Sequence, residues 1–195
     1  CPHPTNRILR GWRKKRGTSS EVHALITAEF DQLIGKPGGG TNDFSALELD
    51  CRTVSLRIAA VAIERRLNDD HSDYLGPTIP CSCGHQARYD GRLEKTFITV
   101  LGPIILRRAH YLCAECERGR FPRDHELGFL DGALSPGVSR MVGVVAASVS
   151  FAESAELLLE LSGLSLNAKQ IERHAEALGR DIEVAIEIPF EEAVH

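Results

Sequence analysis

Two close cysteine pairs constrain this chain more than any other feature of its sequence. Cys81 and Cys83 are separated by one residue and followed by Gly84, and Cys113 and Cys116 are separated by two residues. A structural zinc ion takes four thiolates, or three thiolates and an imidazole, in tetrahedral geometry. A close pair turns the backbone so that two sulfurs face one ion. We therefore predict that these four cysteines hold a structural Zn²⁺ ion.

The segment between the pairs is rich in Thr, Ile, Val, Phe and Tyr, which favour strands. It contains turn signals, Asp-Gly at 90–91 and Gly-Pro at 102–103, and Asp-Gly between two strand-like runs is typical of a hairpin. We predict three short strands, near 86–90, 93–100 and 104–112. We expect these strands to return the chain so that the two cysteine pairs meet. Removal of the metal is then expected to unfold residues 81–123.

Disulfide and redox chemistry are the alternatives for the same cysteines. Disulfides need an oxidising compartment, and the basic opening NRILRGWRKKRG lacks the apolar run of a secretory signal. No apolar run long enough to span a membrane exists either, so we expect a cytoplasmic location. A redox Cys-x-x-Cys follows a strand and opens a helix, whereas ERGRFPRD after Cys116 is a poor helix start. Four thiolates leave no open position for a catalytic zinc.

Helical periodicity is found on both sides of this module. Apolar residues at steps of three and four predict helices in SEVHALITAEFDQLIG and in DFSALELDCRTVSLRIAAVAIERRLNDD. Cys51 lies on the apolar stripe of the second segment and is interpreted as a core thiol. Further helices are predicted in SPGVSRMVGVVAASVS, FAESAELLLELSG and NAKQIERHAEALG, the last two ending at Gly163 and Gly179.

These patterns predict an α+β chain, mostly helical with a small antiparallel zinc-ribbon-like β module in the middle. We expect four segments. A basic tail, a short helix and a glycine-rich linker occupy 1–40, and a helical segment occupies 41–75. The zinc-ribbon-like module occupies 76–127, and a second helical segment occupies 128–195.

The helix pair within 151–179 permits two interpretations. A helix-turn-helix would place Lys169, Gln170 and Arg173 on a second helix that can reach phosphates or base edges. The connection is about two residues longer than the compact motif usually has. The alternative is an ordinary helical hairpin that buries apolar side chains, namely Leu157, Leu158, Leu161, Leu164, Ile171 and Leu178.

The net charge of −4 hides a strong asymmetry along the chain. Residues 1–20 carry basic side chains and no acid, residues 81–123 are rich in arginine, and residues 151–195 are mainly acidic. Such patterning indicates that one region meets a polyanion. Solvated faces of unlike sign are the alternative explanation.

Several distinctive pieces of sequence resemble the N-terminal part of bacterial insertion-sequence transposases of the ISKra type. The resemblance runs from about residue 44 to residue 183. It rests on these pieces: Cys-x-Cys-Gly at 81–84, Lys95-Thr96, Leu101-Gly102-Pro103, Arg108-Ala-His-Tyr-x-Cys113, Pro122-Arg-Asp124 and Val149-Ser-Phe151.

The resemblance implies a DNA-recombining protein. In that family an N-terminal region with a cysteine module precedes a DDE catalytic domain, whose carboxylates hold Mg²⁺ for DNA strand transfer. We expect this chain to be a truncated or remnant copy without that domain and to be inactive alone. We therefore assign no catalytic residue to it. The resemblance also implies that basic residues of the module contact DNA, namely Arg88, Arg92, Lys95, Arg107 and Arg108.

Two functions from different classes follow. The first is the DNA-binding and assembly region of a transposase, with the ends of the element as partner and a homo-oligomer as working form. The second is a zinc-stabilised protein-interaction or oligomerisation module that does not bind DNA.

Overall fold

The computed structural model describes residues 19–34, 43–129 and 132–187. Its elements are, in chain order, α1 (Ser19–Ile34), α2 (Phe44–Asp69), β1 (Thr78–Pro80), β2 (Gln86–Thr99), β3 (Gly102–Cys113), β4 (Gly119–Arg120), α3 (Pro122–Glu126), α4 (Pro136–Ala146), α5 (Phe151–Ser162) and α6 (Ala168–Glu187). The predicted α+β class, mostly helical with a small antiparallel sheet in the middle, is confirmed. The chain forms two compact units, Cys1–Val61 and Ala62–His195. The division into four segments stays a prediction.

In the first unit, the described residues form α1 and the first part of α2. The Asp43 carboxylate accepts the backbone N–H of Ser45 at 3.0 Å and so caps α2. The Arg57 guanidinium donates to the Glu29 carboxylate at 2.6 Å and joins the two helices. Both helices were predicted from apolar spacing and are confirmed. Cys51 is half-buried on α2, so the predicted core thiol is only partly enclosed.

Within the described part of the second unit, four strands form one antiparallel sheet in the order β1-β2-β3-β4. The long strands β2 and β3 form a hairpin, whose register runs from Ala87 opposite Cys113 to Thr99 opposite Gly102. Gly102 follows the turn with a φ of +111°, which glycine adopts without steric cost. Because β2 and β3 are antiparallel and of similar length, the start of β2 and the end of β3 lie side by side at one end of the sheet. The cysteine pairs lie at that end.

The predicted hairpin turn at Asp90-Gly91 is wrong. The chain continues as a single strand through this dipeptide, and the register passes from Tyr89 opposite Tyr111 to Arg92 opposite Ala109. Two residues of β2 thus oppose one residue of β3, which is a β-bulge. Gly91 has a φ of +100°. A bulge uses the same left-handed glycine as a tight turn does, so the dipeptide predicts the local backbone but not the reversal.

The outer edge of β3 is covered by side chains from α2 and the loop after it. Glu64 accepts the backbone N–H of residue 105 at 2.7 Å, and Asn68 accepts that of residue 107 at 2.8 Å. Asp73 accepts the N–H of residue 109 at 2.7 Å. Acceptors four residues apart on a helix thus match donors two residues apart on a strand. Buried edge amides are satisfied in this way without another strand.

The hairpin end far from the cysteines has its own apolar core. Phe97 is fully buried and stacks on Phe129 with ring centroids 4.0 Å apart. Ile104 and Leu106 are each 1% exposed. The guanidinium of Arg108 lies against the rings of Phe97 and Phe121, at 5.3 and 4.0 Å from their centroids, and pairs with an aspartate on α3. Arg108 is therefore part of this core.

The helices α4, α5 and α6 pack around a second core. Its buried members are Val138, Val142, Leu158, Leu164, Leu166 and Ile171. Each helix begins with a cap. Ser135 accepts the N–H of Val138 before α4, Ser150 and Glu153 form a capping box before α5, and Asn167 exchanges two hydrogen bonds of 2.9 Å with Gln170 before α6.

Two predictions about these helices need correction. Gly163 ends α5 with a φ of +74° as predicted, but α6 continues through Gly179 to Glu187. A glycine ends a helix only where the backbone turns left-handed, and elsewhere it costs about 1 kcal/mol. Leu157 and Leu161 are 37% and 67% exposed. Leu158 takes the buried position of α5, which turns these two residues toward its rim.

Candidate metal centre

The first cysteine pair lies in the tight connection between β1 and β2. The backbone N–H of Cys81 donates to the carbonyl of His85 at 2.8 Å, and the N–H of Gly84 donates to the carbonyl of Cys81 at 3.0 Å. Gly84 has a φ of +87°, which closes the turn at low steric cost. The knuckle thus holds Cys83 between its two hydrogen bonds. Cys81 is buried and Cys83 is exposed.

The second pair lies where β3 turns into β4. Cys113 is the last residue of β3, and its N–H donates to the carbonyl of Arg118 at 3.2 Å. Glu117 takes a φ of +54°, an uncommon value for a residue with a side chain. Cys113 is fully buried and Cys116 is half-buried. The chain therefore reverses around the second pair as it does around the first.

The four sulfurs lie together, as the spacing predicts. All four Sγ atoms are within 4.8 Å of one another. The Sγ atoms of Cys81 and Cys116 are 3.6 Å apart, as are those of Cys83 and Cys113. A tetrahedral zinc site with Zn–S bonds of about 2.3 Å has sulfurs about 3.8 Å apart. The cluster thus has the size and the donor set that a metal ion needs.

The protonation of the thiols favours a cation at this place. The backbone N–H of Cys83 lowers the pKa of the Cys81 thiol to about 6. The backbone N–H of His85 also acts to lower the pKa of Cys83, but the neighbouring thiols and burial outweigh it and raise that pKa to about 12. One thiolate forms readily and hinders the next, since like charges repel. A divalent cation removes this repulsion and keeps its thiol ligands deprotonated.

The setting of Cys113 and Cys116 does not fit a thioredoxin-like redox pair. Such a pair follows a strand and opens a helix. Here the chain after Cys116 enters β4, and the next helix, α3, begins only at Pro122. Four sulfurs around one point also leave no open coordination position. The geometry thus fits a closed structural site.

A buried ion network ties the sheet to the end of α2. Asp73 is 2% exposed and pairs with Arg92 and Arg123. Arg123 also donates to the backbone carbonyl of Asp70 at 2.9 Å and to its carboxylate at 3.2 Å. Nothing in the local sequence around Asp73 predicts this role, because its partners lie on β2, β3 and α3. These charged side chains stabilise the fold by joining the sheet and α3 to the end of α2, and the sequence alone did not predict their role.

The sheet uses three of the five residues that we expected to contact DNA. Arg108 is 3% exposed, so that prediction is wrong for Arg108. The side chain of Arg92 is 11% exposed and bound to Asp73, so it too is unavailable. Lys95 is half-buried and donates to a backbone carbonyl at 2.9 Å. Arg107 is exposed beside Glu94 at 3.6 Å, and Arg88 is exposed. Which of these basic side chains are buried and which are exposed depends on their packing in the fold, and composition does not reveal it.

The basic residues at the start of α6 differ in the same way. Lys169 and Arg173 are exposed. Gln170 is half-buried, and its side-chain oxygen accepts the backbone N–H of Asn167 as part of the cap. Burial lowers the pKa of His174, which keeps its imidazole neutral at pH 7. Two cations therefore remain on this part of α6.

Arg118 and Arg120 are exposed beside the second knuckle and were not among the expected contacts. Arg120 donates to the carbonyl of Pro80 at 3.2 Å, which holds its stem along β1. With Arg88, they lie at the end of the sheet that carries the cysteines. Their signal in the sequence was position alone, since both follow the second cysteine pair directly.

Four cysteine sulfurs thus form a cluster at one end of a small antiparallel sheet, and this cluster could hold a metal ion. No family model matches the chain, and no curated protein matches it significantly. None of the helices in the described residues has both the length and the apolar character needed to cross a bilayer.

Proposed function

We propose that the four cysteines hold one structural Zn²⁺ ion and that the module they close binds DNA. Zinc fits because four thiolates in a compact tetrahedral set are its preferred structural ligands. The ion does no chemistry in this role. It holds the two knuckles, and with them the arginines next to each knuckle, in a fixed arrangement. This proposal goes with a reducing compartment such as the cytoplasm.

The exposed cations near the cysteines carry the DNA part of the proposal. Arg88, Arg118 and Arg120 lie at the metal end of the sheet, and none of them is buried in the core as Arg108 is. Arginine is well suited to phosphate because its guanidinium donates to two oxygens at once. Lys169 and Arg173 on α6 supply a second set of cations in the same unit.

The resemblance to ISKra-type transposases supports the same function and makes it specific. On that basis we propose that this chain is the DNA-binding and assembly part of such a protein and binds the ends of its element. DNA strand transfer would belong to a DDE domain, and no described residue of this chain is proposed as catalytic. The carboxylates of Asp73 and Asp124 are paired with arginines, so they are engaged in the fold.

Salt-dependent binding to duplex DNA tests the proposal. Fluorescence anisotropy of the zinc-loaded chain with a labelled duplex should show the affinity falling linearly on logarithmic axes as salt rises, because bound phosphates release counterions. Each of the substitutions Arg88→Ala and Arg118→Ala should reduce that slope by about 1. Glu115→Gln should strengthen binding, since this exposed carboxylate lies between the cysteines of the second knuckle.

Arg140→Ala is the matched control, because it also removes one exposed positive charge but lies on α4. It should leave the slope unchanged. Absence of salt-sensitive binding to any duplex, including sequences from the element's ends, would refute DNA binding and leave a zinc-stabilised interaction module.

A further inference from the structure

An open apolar groove lies on the helical part of the second unit. It encloses about 470 Å³ and is lined mainly by α4 and α5, with Val100 from the turn between β2 and β3. Val144 and Leu161 are 61% and 67% exposed there, and Leu157 is 37% exposed. Single apolar residues on a surface are normal, but a contiguous set along a groove marks a contact site.

The helix that forms one wall of the groove is fixed at both ends. The capping box of Ser150 and Glu153 starts α5, and the left-handed Gly163 ends it. Leu157 and Leu161 are four residues apart and so lie on the same side of α5. A rigid wall of this kind loses little conformational entropy when a partner binds, which favours docking.

The charge beside the groove indicates the kind of partner. Leu157 also lines an adjoining depression along α5, whose remaining walls include Glu153, Glu156 and Glu160. Hydrogen bonds from Ser150 lower the pKa of Glu153, so that carboxylate stays charged. The lining of the groove itself contains one guanidinium, that of Arg140. An acidic rim next to an apolar groove repels nucleic acid and attracts a partner with basic side chains.

We propose that this groove docks an amphipathic helix of a partner protein, with an apolar stripe flanked by lysine and arginine. A helix laid in a groove places its apolar residues at steps of three and four, and the open groove between α4 and α5 offers apolar side chains from both helices to such a stripe. Its basic flank then lies along Glu156 and Glu160. This surface differs from the cations proposed to contact DNA, so one chain could bind DNA and a protein at the same time.

A synthetic peptide tests the proposal. The probe is a labelled amphipathic helix of leucine and lysine, and the comparison peptide has glutamate in place of every lysine. Fluorescence anisotropy with the full zinc-loaded chain should show binding of the basic peptide and at least tenfold weaker binding of the acidic one. The pair Glu156→Gln and Glu160→Gln should reduce both the affinity for the basic peptide and its sensitivity to salt.

The apolar contacts are tested with two matched double variants. Val144→Ser with Leu161→Ser should weaken binding of the basic peptide at least tenfold, as loss of central apolar anchors does. Leu93→Ser with Leu112→Ser removes apolar side chains that are 45% and 40% exposed on the sheet and should leave binding unchanged. Thermal unfolding of all variants, measured alongside, shows whether the chain remains folded.

Three outcomes would overturn the proposal. The first is equal binding of the acidic and basic peptides, and the second is equal weakening by both double variants. The third is dimerisation of the chain alone, measured by light scattering, that Val144→Ser with Leu161→Ser abolishes. In that case a second copy occupies the groove. None of these outcomes bears on the DNA proposal, because the cations proposed to contact DNA lie outside the lining of the groove.

Discussion

Removing the metal is expected to loosen one end of the sheet and to leave the other end folded. From the sequence we expected all of 81–123 to unfold. In the structure, the cysteine end of the sheet and the far end of the β2–β3 hairpin are stabilised by different residues, so we now expect only the cysteine end to unfold. The cysteine end consists of the two knuckles, β1 and β4. The far end of the hairpin contains Phe97, Ile104 and Leu106, which are each at most 1% exposed.

The magnitudes follow from the residues that each end buries. Among the described residues, the large members of the cluster around the cysteines are Ile79 and Tyr111. A buried side chain of this kind contributes about 1.5–3 kcal/mol, whereas ordering the backbone of one residue costs about 1–2 kcal/mol. The entropic cost of ordering the backbone of a few knuckle residues is therefore larger than the stabilisation from burying these two side chains. Structural zinc contributes about 10–16 kcal/mol at neutral pH in finger peptides, which is enough to reverse that balance.

Hydrogen exchange measures the effect residue by residue. After addition of a zinc chelator at neutral pH, amides at 81–89 and 109–120 should lose protection, while those at 95–106 keep most of theirs. Native mass spectrometry should show one zinc ion per chain before chelation. Cys113→Ser should abolish zinc binding, and Cys51→Ser, which changes a thiol on α2, should not.

Either of two results would refute this reasoning. Unchanged protection at the knuckles after complete metal removal would mean that no structural metal holds them. Equal loss of protection at 95–106 would mean that the far end of the hairpin has no independent stability, despite the stacked rings of Phe97 and Phe129.

Three further predictions concern the residues that support the module. Asp73→Ala removes the carboxylate paired with the buried guanidinium of Arg92 and leaves Arg123 with Asp70 alone, so it should lower the free energy of unfolding in urea by about 3–5 kcal/mol. Asp69→Ala, at an exposed ion pair, should cost less than about 1 kcal/mol; equal losses would contradict the assigned role. Gly119→Ala should cost about 1–3 kcal/mol in the same assay, because its Cβ would lie 2.6 Å from Nε2 of the packed His110 ring; an unchanged midpoint would show that the ring can move. Burial raises the pKa of Glu64 above its usual 4.5, so the folded chain binds its proton more tightly and stability should fall as pH rises through and above 4.5. The free energy of unfolding of Glu64→Gln, relative to that of the parent chain, should therefore be higher at pH 7 than at pH 4. The reverse order would refute this.

The cluster of four cysteines could be predicted from the sequence because the signals that form it are local. Each knuckle is a short turn with its own glycine or strained residue, and the four sulfurs needed only a hairpin to meet. The helices were predictable for a related reason, since apolar spacing and capping residues such as Ser135 and Ser150 act within a few positions.

The errors arose where one local signal serves two structures. A left-handed glycine occurs in both a tight turn and a bulge, so Asp90-Gly91 was assigned the wrong one. Gly179 resembles a helix end but lies inside α6. Arg108 is buried because it packs against Phe97 and Phe121. These two rings are far apart along the chain and come together only in the fold.

The covered edge of β3 has a consequence for any attempt to isolate the part of the sheet that carries the four cysteines. A fragment that begins after residue 75 would keep all four cysteines but lose Glu64, Asn68 and Asp73. The backbone amides of residues 105, 107 and 109 would then face solvent in a row. Open edges of this kind pair with the edges of other molecules and lead to aggregation. The smallest well-behaved fragment therefore starts upstream of Glu64, within α2, although the first cysteine of the cluster is Cys81.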